Sequence, residues 1–208
     1  GSITGCDGRG SGQIVTVDYG TFNLFGGSID HNTTTGRGTV YVGNYATANM
    51  YGGKITENTL TTTSGSGGGG VYVEGKFTMN EITNNTTKTT GGGIYLTSSG
   101  TAIINDGTIS GNKAGANGGD GIFLSARDYN NAVLKIAGAA NIQDEILLYY
   151  ASGGSRAKFA TITSALQNPI TFNIQGASDG RIIAKGDGYT LAPADLQKIT
   201  MKDVADET

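Results

Sequence analysis

The chain repeats itself about every 26 residues, and that period limits what it folds into more than any other feature. Thr21-Phe22-Asn23-Leu24-Phe25-Gly26-Gly27-Ser28-Ile29-Asp30-His31-Asn32 is echoed by Thr47-Ala48-Asn49-Met50-Tyr51-Gly52-Gly53-Lys54-Ile55-Thr56-Glu57-Asn58. Lys76-Phe77-Thr78-Met79 then leads to Ile82-Thr83-Asn84-Asn85, and Thr101-Ala102-Ile103-Ile104 leads to Ile109-Ser110-Gly111-Asn112. Each unit ends in a glycine-rich stretch and an apolar triplet: Val40-Tyr41-Val42, Val71-Tyr72-Val73, Ile94-Tyr95-Leu96 and Ile122-Phe123-Leu124, with Val15-Thr16-Val17 before them and Ile146-Leu147-Leu148 after. The triplets are 25, 31, 23, 28 and 24 residues apart. Within a unit the apolar residues alternate with period two, the pattern of a strand. A three-residue strand buries too little by itself, so each unit must stack on the next, at about 4.8 Å per turn, around one continuous core.

These patterns predict an all-β chain: a right-handed, single-stranded parallel β-helix with three sheets and about five to seven turns, ending in a modified C-terminal cap. The right hand follows from the preferred crossover of parallel strands. Residues 1–151 are expected to hold the repeats, and residues 152–208 the terminal coils and cap of the same domain. In that last part Pro169 to Ile174 and Arg181 to Ala184 read as strands, and Leu191 to Ile199 as a short helical turn or hook. At the other end about 13 residues precede the first expected turn and no cap is evident. A longer solenoid, or capping by a neighbour, is the expectation there.

The composition agrees with stacking. Gly supplies 36 of 208 residues and charged residues 15%, against about 25% charged in an ordinary domain. In-register turns place like residues above one another, so a column of charges repels while a column of Thr or Asn hydrogen-bonds. Asn32, Asn58, Asn85 and Asn112 each follow a strand Ile by three residues and are read as such a ladder. Ile142 is followed at that distance by Glu145, so the ladder is expected to stop there.

The net charge of −3 and the lack of a Lys/Arg cluster argue against nucleic acid as a partner. The longest apolar run, Ile146 to Ala151, is too short to span a bilayer. The start at Gly1-Ser2 reads as a processed or cloned end. Cys6 is the single cysteine and says little about redox compartment. Gly118-Gly119-Asp120-Gly121 starts like a calcium-binding nonapeptide but lacks its later Asp, and Gly65 to Gly70 has no following Lys or helix to cradle phosphate. No cofactor and no metal site are expected.

The element Gly-Gly-x-Ile-x-x-Asn followed by Gly-Gly-Val-Tyr-Val resembles the right-handed parallel β-helix repeats of bacterial surface and adhesin-like proteins. It is similar to repeats of polymorphic outer-membrane proteins and autotransporter passengers, and loosely to the pectate-lyase-like superfold. The resemblance spans Ile14 to Leu148, about two-thirds of the chain. It implies an extracellular or bacterial cell-surface module. For activity it leaves three readings: a non-enzymatic adhesin-like or structural module that recognises a carbohydrate or host protein, a polysaccharide lyase or glycoside hydrolase, and an inert stalk.

Candidate site residues follow from the stacking. The outward residues of the triplets, Tyr41, Tyr72, Tyr95 and Phe123, are expected to form an aromatic ladder suited to sugar faces. Insertions fall at two corners, and the one after the third strand carries Tyr45 and, with Arg127 and Asp128, Tyr129 as further ligand-binding candidates. His31 aligns with Glu57 and Asn84 on adjacent turns, and His31 with Glu57 is the one candidate acid/base pair. Other acids, among them Asp18, Glu74, Glu81, Asp106 and Asp120, are scattered over turns, whereas a lyase or hydrolase needs converging carboxylates.

Overall fold

A computed structural model describes residues 1–10, 12–115, 118–126, 132–150, 159–175 and 182–202. Parallel strands stack as a solenoid of about seven turns, with one helical turn near the end, Pro193–Leu196. The register between turns is the one that the repeat implies. Val40 pairs with Val15 and Val71, Ile94 with Val71 and Ile122, and Ile122 with Ile146. Ile29, Ile55, Ile82, Ile109 and Ile142 follow one another in a second column.

Three faces surround the core, but two of them are joined. The strands Val15–Leu24 and Gly38–Met50 run unbroken around one edge of the solenoid, so the sheet of the triplets and the sheet of Phe22, Ala48 and Phe77 are continuous there. A short fourth ladder of Asp7–Gly8, Thr33–Thr34, Thr59–Leu60 and Thr86–Thr87 lines the corner after the asparagines. The expectation that about 13 residues precede the first turn needs correction. Ser2–Thr4 pairs in parallel with Ser28–Asp30, and Asp7–Gly8 with Thr33–Thr34, so these residues already belong to a turn. Their apolar pattern is too short to be seen without the partner strands.

Inside, the pleat sends alternate residues to the core. Val40, Val42, Val71, Val73, Ile94, Leu96, Ile122 and Leu124 are buried on one wall. On another, the column Ala48, Phe77, Ala102, Leu134, Ala160 alternates small with large. The Phe77 ring thereby lies between two alanines, the large-against-small arrangement by which stacked layers fill an interior. At the corners the asparagines are buried, and each side chain is fully used. Asn58 donates from Nδ2 to Ile29 O and to Asn85 Oδ1, both at 2.9 Å, while its own Oδ1 accepts Asn32 N at 3.1 Å and Asn32 Nδ2 at 2.9 Å. Asn85 repeats the arrangement toward Ile55 and Asn112. An amide has two donors and room for two acceptor bonds, so nothing is left unpaired.

The stack continues past the repeat. Ala160–Ile162 pairs with Leu134 to Ile136, and Ile170–Gln175 pairs with Ile146 to Tyr149. The helical turn is then fixed by Asp195. Its buried carboxylate accepts Leu166 N at 2.8 Å, Ala192 N at 2.8 Å and the Tyr189 hydroxyl at 2.6 Å. These three bonds hold its carboxyl below the ordinary aspartate range, that from Tyr189 contributing most.

Candidate functional site

The outward residues of the triplets do stack. Ring centroids are 5.9 Å apart for Tyr41 and Tyr72, 5.0 Å for Tyr72 and Tyr95, and 5.2 Å for Tyr95 and Phe123, and Tyr149 extends the column at 5.6 Å from Phe123. The sequence reading missed Tyr149, because it sits two residues beyond the outward Leu147 of its triplet. The rings form a second small core outside the solenoid, together with Leu147. Tyr72 keeps 8% of its surface exposed and Tyr95 6%. Their faces lie against one another, which leaves ring edges rather than faces toward the outside. At the N-terminal end of the column Tyr41 is half-buried. Its hydroxyl donates to Glu74 Oε2 at 2.7 Å, and Arg37 Nη1 holds Glu74 Oε1 at 2.7 Å. Burial, with the neighbouring Glu74 carboxylate, pushes the Tyr41 phenol up to about 12.

A different aromatic surface is open. On the joined sheet Tyr19 pairs with Tyr45, and the rings lie 5.7 Å apart and 2° from parallel. Six residues further on, just past the ends of the two strands, Phe25 stacks on Tyr51 at 5.2 Å and 13°. Tyr45 is 77% exposed and Tyr51 67%. Between the two pairs Asn49 Nδ2 donates to Asn23 Oδ1 at 3.0 Å, and Thr21 lies opposite Thr47. These residues face outward because the alternate residues Ala46, Ala48 and Met50 fill the core. At about 3.3 Å per residue of extended chain the two aromatic pairs stand at most about 20 Å apart. Sequence reasoning singled out Tyr45 from its corner insertion but not Tyr19, Phe25 or Tyr51. The signal was present, since Tyr19/Tyr45 and Phe25/Tyr51 occupy equal places in the first two copies of the repeat. Tyr129, Arg127 and Asp128 lie outside the described residues.

His31 and Glu57 are brought together, as their alignment suggests. His31 Nε2 lies 3.0 Å from Glu57 Oε2, and His31 Nδ1 lies 3.0 Å from Asp30 Oδ1. Both nitrogens can donate only when the ring is protonated. The Asp30 hydrogen bond, then the Glu57 charge, raise the imidazole above its ordinary value. Asp30 in turn is held well below the carboxylate range by the Ser28 and Thr4 hydroxyls and by His31. The backbone gives this position its reason. His31, Glu57 and Asn84 have φ of 52°, 55° and 55°, and the equivalent Gly5 and Gly111 have 68° and 66°. The corner before every rung of the asparagine ladder is left-handed, so each turn spends a residue of uncommon conformation there to aim the next side chain inward.

Residues 3–173 match the family model described as Periplasmic copper-binding protein (NosD). No curated protein and no solved structure matches the chain. Copper sites draw on imidazole, thiolate and thioether ligands, and the whole sequence offers one His, one Cys and three Met. Both nitrogens of His31 are engaged by carboxylates. Cys6 is exposed, with its thiol toward Thr4 O. Met50 and Met79 are buried in the core, and Met201 is exposed on a terminal strand. Among the described residues no three His, Cys, Asp or Glu side chains converge on a point. The residues present do not fit a copper centre.

Proposed function

The chain belongs to the family of the periplasmic copper-binding protein NosD, a family of periplasmic β-helix proteins, and from that premise we propose that it is an exported, non-enzymatic recognition module. It acts in the periplasm or at the cell surface, in the manner of an adhesin, and its ligand is an extended, uncharged carbohydrate. No helix among the described residues is long and apolar enough to cross a membrane.

One observation carries this reading: the open face of two stacked aromatic pairs, Tyr19/Tyr45 and Phe25/Tyr51, with the Asn23–Asn49 amides between them. Exposed aromatic rings on a soluble surface are costly unless used. Each ring covers one face of its partner, and the free face at either end of a pair points along the stack, where the apolar face of a sugar ring can stack, while amides and hydroxyls serve the sugar hydroxyls. Two separate aromatic platforms, at most about 20 Å apart along the paired strands, suit a chain of several sugar units rather than a single one. The one candidate acid/base pair, His31 and Glu57, is bound up in ion pairs at a left-handed corner, away from this face by sequence position and sheet.

A glycan array read with the intact chain and with Tyr45→Ala/Tyr51→Ala tests the proposal, alongside a reducing-end assay on neutral and acidic polysaccharides. Binding to a neutral glycan that is lost in the double variant, without cleavage, is the expected result. Release of reducing ends that disappears in His31→Ala would overturn it in favour of an enzyme. Equal binding by the parent and the double variant would remove this face from the account.

A further inference from the structure

The sheet that carries the open aromatic pairs continues along the solenoid, and one of its outward columns changes character toward the C-terminal end. Asn23, Asn49, Thr78 and Ile103 are followed, turn by turn, by Lys135, Thr161 and Lys185. Like charges in one column repel, yet two lysines stand here two turns apart, about 10 Å at the usual strand spacing. One carboxylate faces them: Asp187 Oδ2 accepts Lys135 Nζ at 2.8 Å. Lys185 makes no ion pair or hydrogen bond among the described residues, and its Nζ lies over the Phe159 ring, 4.4 Å from the centroid. These side chains line a cleft of about 350 Å³, walled by Val133, Phe159 and Thr161 together with Lys135, Lys185 and Asp187.

We propose that this cleft binds a small organic carboxylate with an apolar, ring-sized body, the carboxylate on Lys185 Nζ and the body against Val133 and Phe159. Size, charge and lining agree. Clefts for small-molecule ligands run to about 300–1,000 Å³, so this one has room for a single ring and a short arm. Two ammonium groups against one carboxylate leave a positive charge over, in a chain whose net charge is −3. Attraction to the ring face holds the Lys185 ammonium in place and so sets where an anion sits. A lysine is a compact point charge that one carboxylate satisfies, whereas phosphate is better matched by the fork of an arginine. Thr161 supplies the one hydroxyl among these side chains, and it already donates to Leu134 O at 3.1 Å. A sugar or polyol therefore finds few partners here, and an apolar body fits better. The site uses none of the residues of the open aromatic face and stands or falls without it.

The test is a calorimetric titration of the full chain with benzoate, phenylacetate and isovalerate, with benzyl alcohol as the neutral counterpart and inorganic phosphate as a plain anion. At least one carboxylate is expected to saturate a single site that benzyl alcohol and phosphate do not fill. Lys185→Met keeps the length of an exposed side chain and removes its charge, so it should weaken that binding about tenfold or more. Lys76→Met, which changes another exposed lysine of the same sheet, should bind as the parent does. Should Lys185→Met melt early, Val133→Trp decides instead, since an indole at this outward position fills the cleft and should abolish binding. No saturable binding of any of the three carboxylates overturns the proposal. So does benzyl alcohol binding as tightly as benzoate, phosphate displacing the carboxylate at equal concentration, binding that Lys185→Met or Val133→Trp leaves unchanged, or binding that Lys76→Met weakens equally.

Discussion

Asp144 Oδ2 accepts the side-chain amide of Asn112 at 2.9 Å, and with that bond the buried amide ladder ends on a carboxylate. The same group takes the backbone N–H of Asn112 at 3.0 Å and of Gly111 at 2.9 Å. The ladder was expected to stop at Glu145, three residues after Ile142. The chain instead closes it with the residue one place earlier, because a terminal rung needs only acceptors and a carboxylate supplies nothing else. Glu145 is turned to other work and accepts Lys202 Nζ at 2.7 Å.

Truncating a middle rung should therefore be severe. Asn85→Ala leaves Asn58 N and Asn58 Nδ2 without their acceptor and Ile55 O without its side-chain donor. At about 1–3 kcal/mol for each buried group left short, a loss of at least about 3 kcal/mol is expected. Asp144→Asn retains one oxygen for the Asn112 contacts and should cost less, about 1–2 kcal/mol. Urea unfolding of the three chains checks the order, and an Asn85→Ala chain as stable as the parent would contradict the ladder.

The two aromatic surfaces should separate by the same measurement. Tyr95→Ala empties a ring from the buried column and should cost about 3 kcal/mol or more, as large-to-small changes in a core do. Tyr45→Ala removes a ring that is 77% exposed and should change stability by less than about 1 kcal/mol. A comparable loss from both would mean that the open face serves packing rather than recognition.

Acid and base should act on opposite ends of the chain. The Asp195 carboxyl is depressed in the fold, so its contribution is present above its unfolded value of 3.8 and is lost as the pH falls through the lower, folded one. Hydrogen exchange at Leu166 and Ala192 should quicken in that acid range, and Asp195→Asn should show fast exchange at every pH. The His31 imidazole is raised instead, so its contribution is complete below 6.5 and is lost as the pH climbs through the folded value. Thermal melting should drop slightly across that alkaline step in the parent and not in His31→Gln.

Copper should bind no more tightly than to any exposed imidazole. After incubation with Cu(II) and desalting, the chain is expected to retain much less than one equivalent and to melt at its original temperature. One retained equivalent that His31→Gln abolishes would show that the Asp30 and Glu57 contacts open to admit a metal.

The repeat in the sequence determined the solenoid, the register and the asparagine ladder. Each of these depends on identical residues meeting one turn apart, and a fixed period makes such meetings visible along the chain. The columns Val40/Val71 and Asn58/Asn85 can be paired from the period alone. Other features had no periodic signal. Ser2–Thr4 is recognisable as a strand only beside Ser28–Asp30, and Asp144 as the last rung only once the backbone places it over Asn112. Most of all, outward direction is written in the alternation of a strand, but exposure is not. Tyr72 and Tyr45 both point away from the core, yet loops and neighbouring rings cover one and leave the other in solvent. That difference was decided by tertiary structure, because burial of an outward side chain depends on the course of loops whose Thr, Ser and Gly residues carry no pattern of their own.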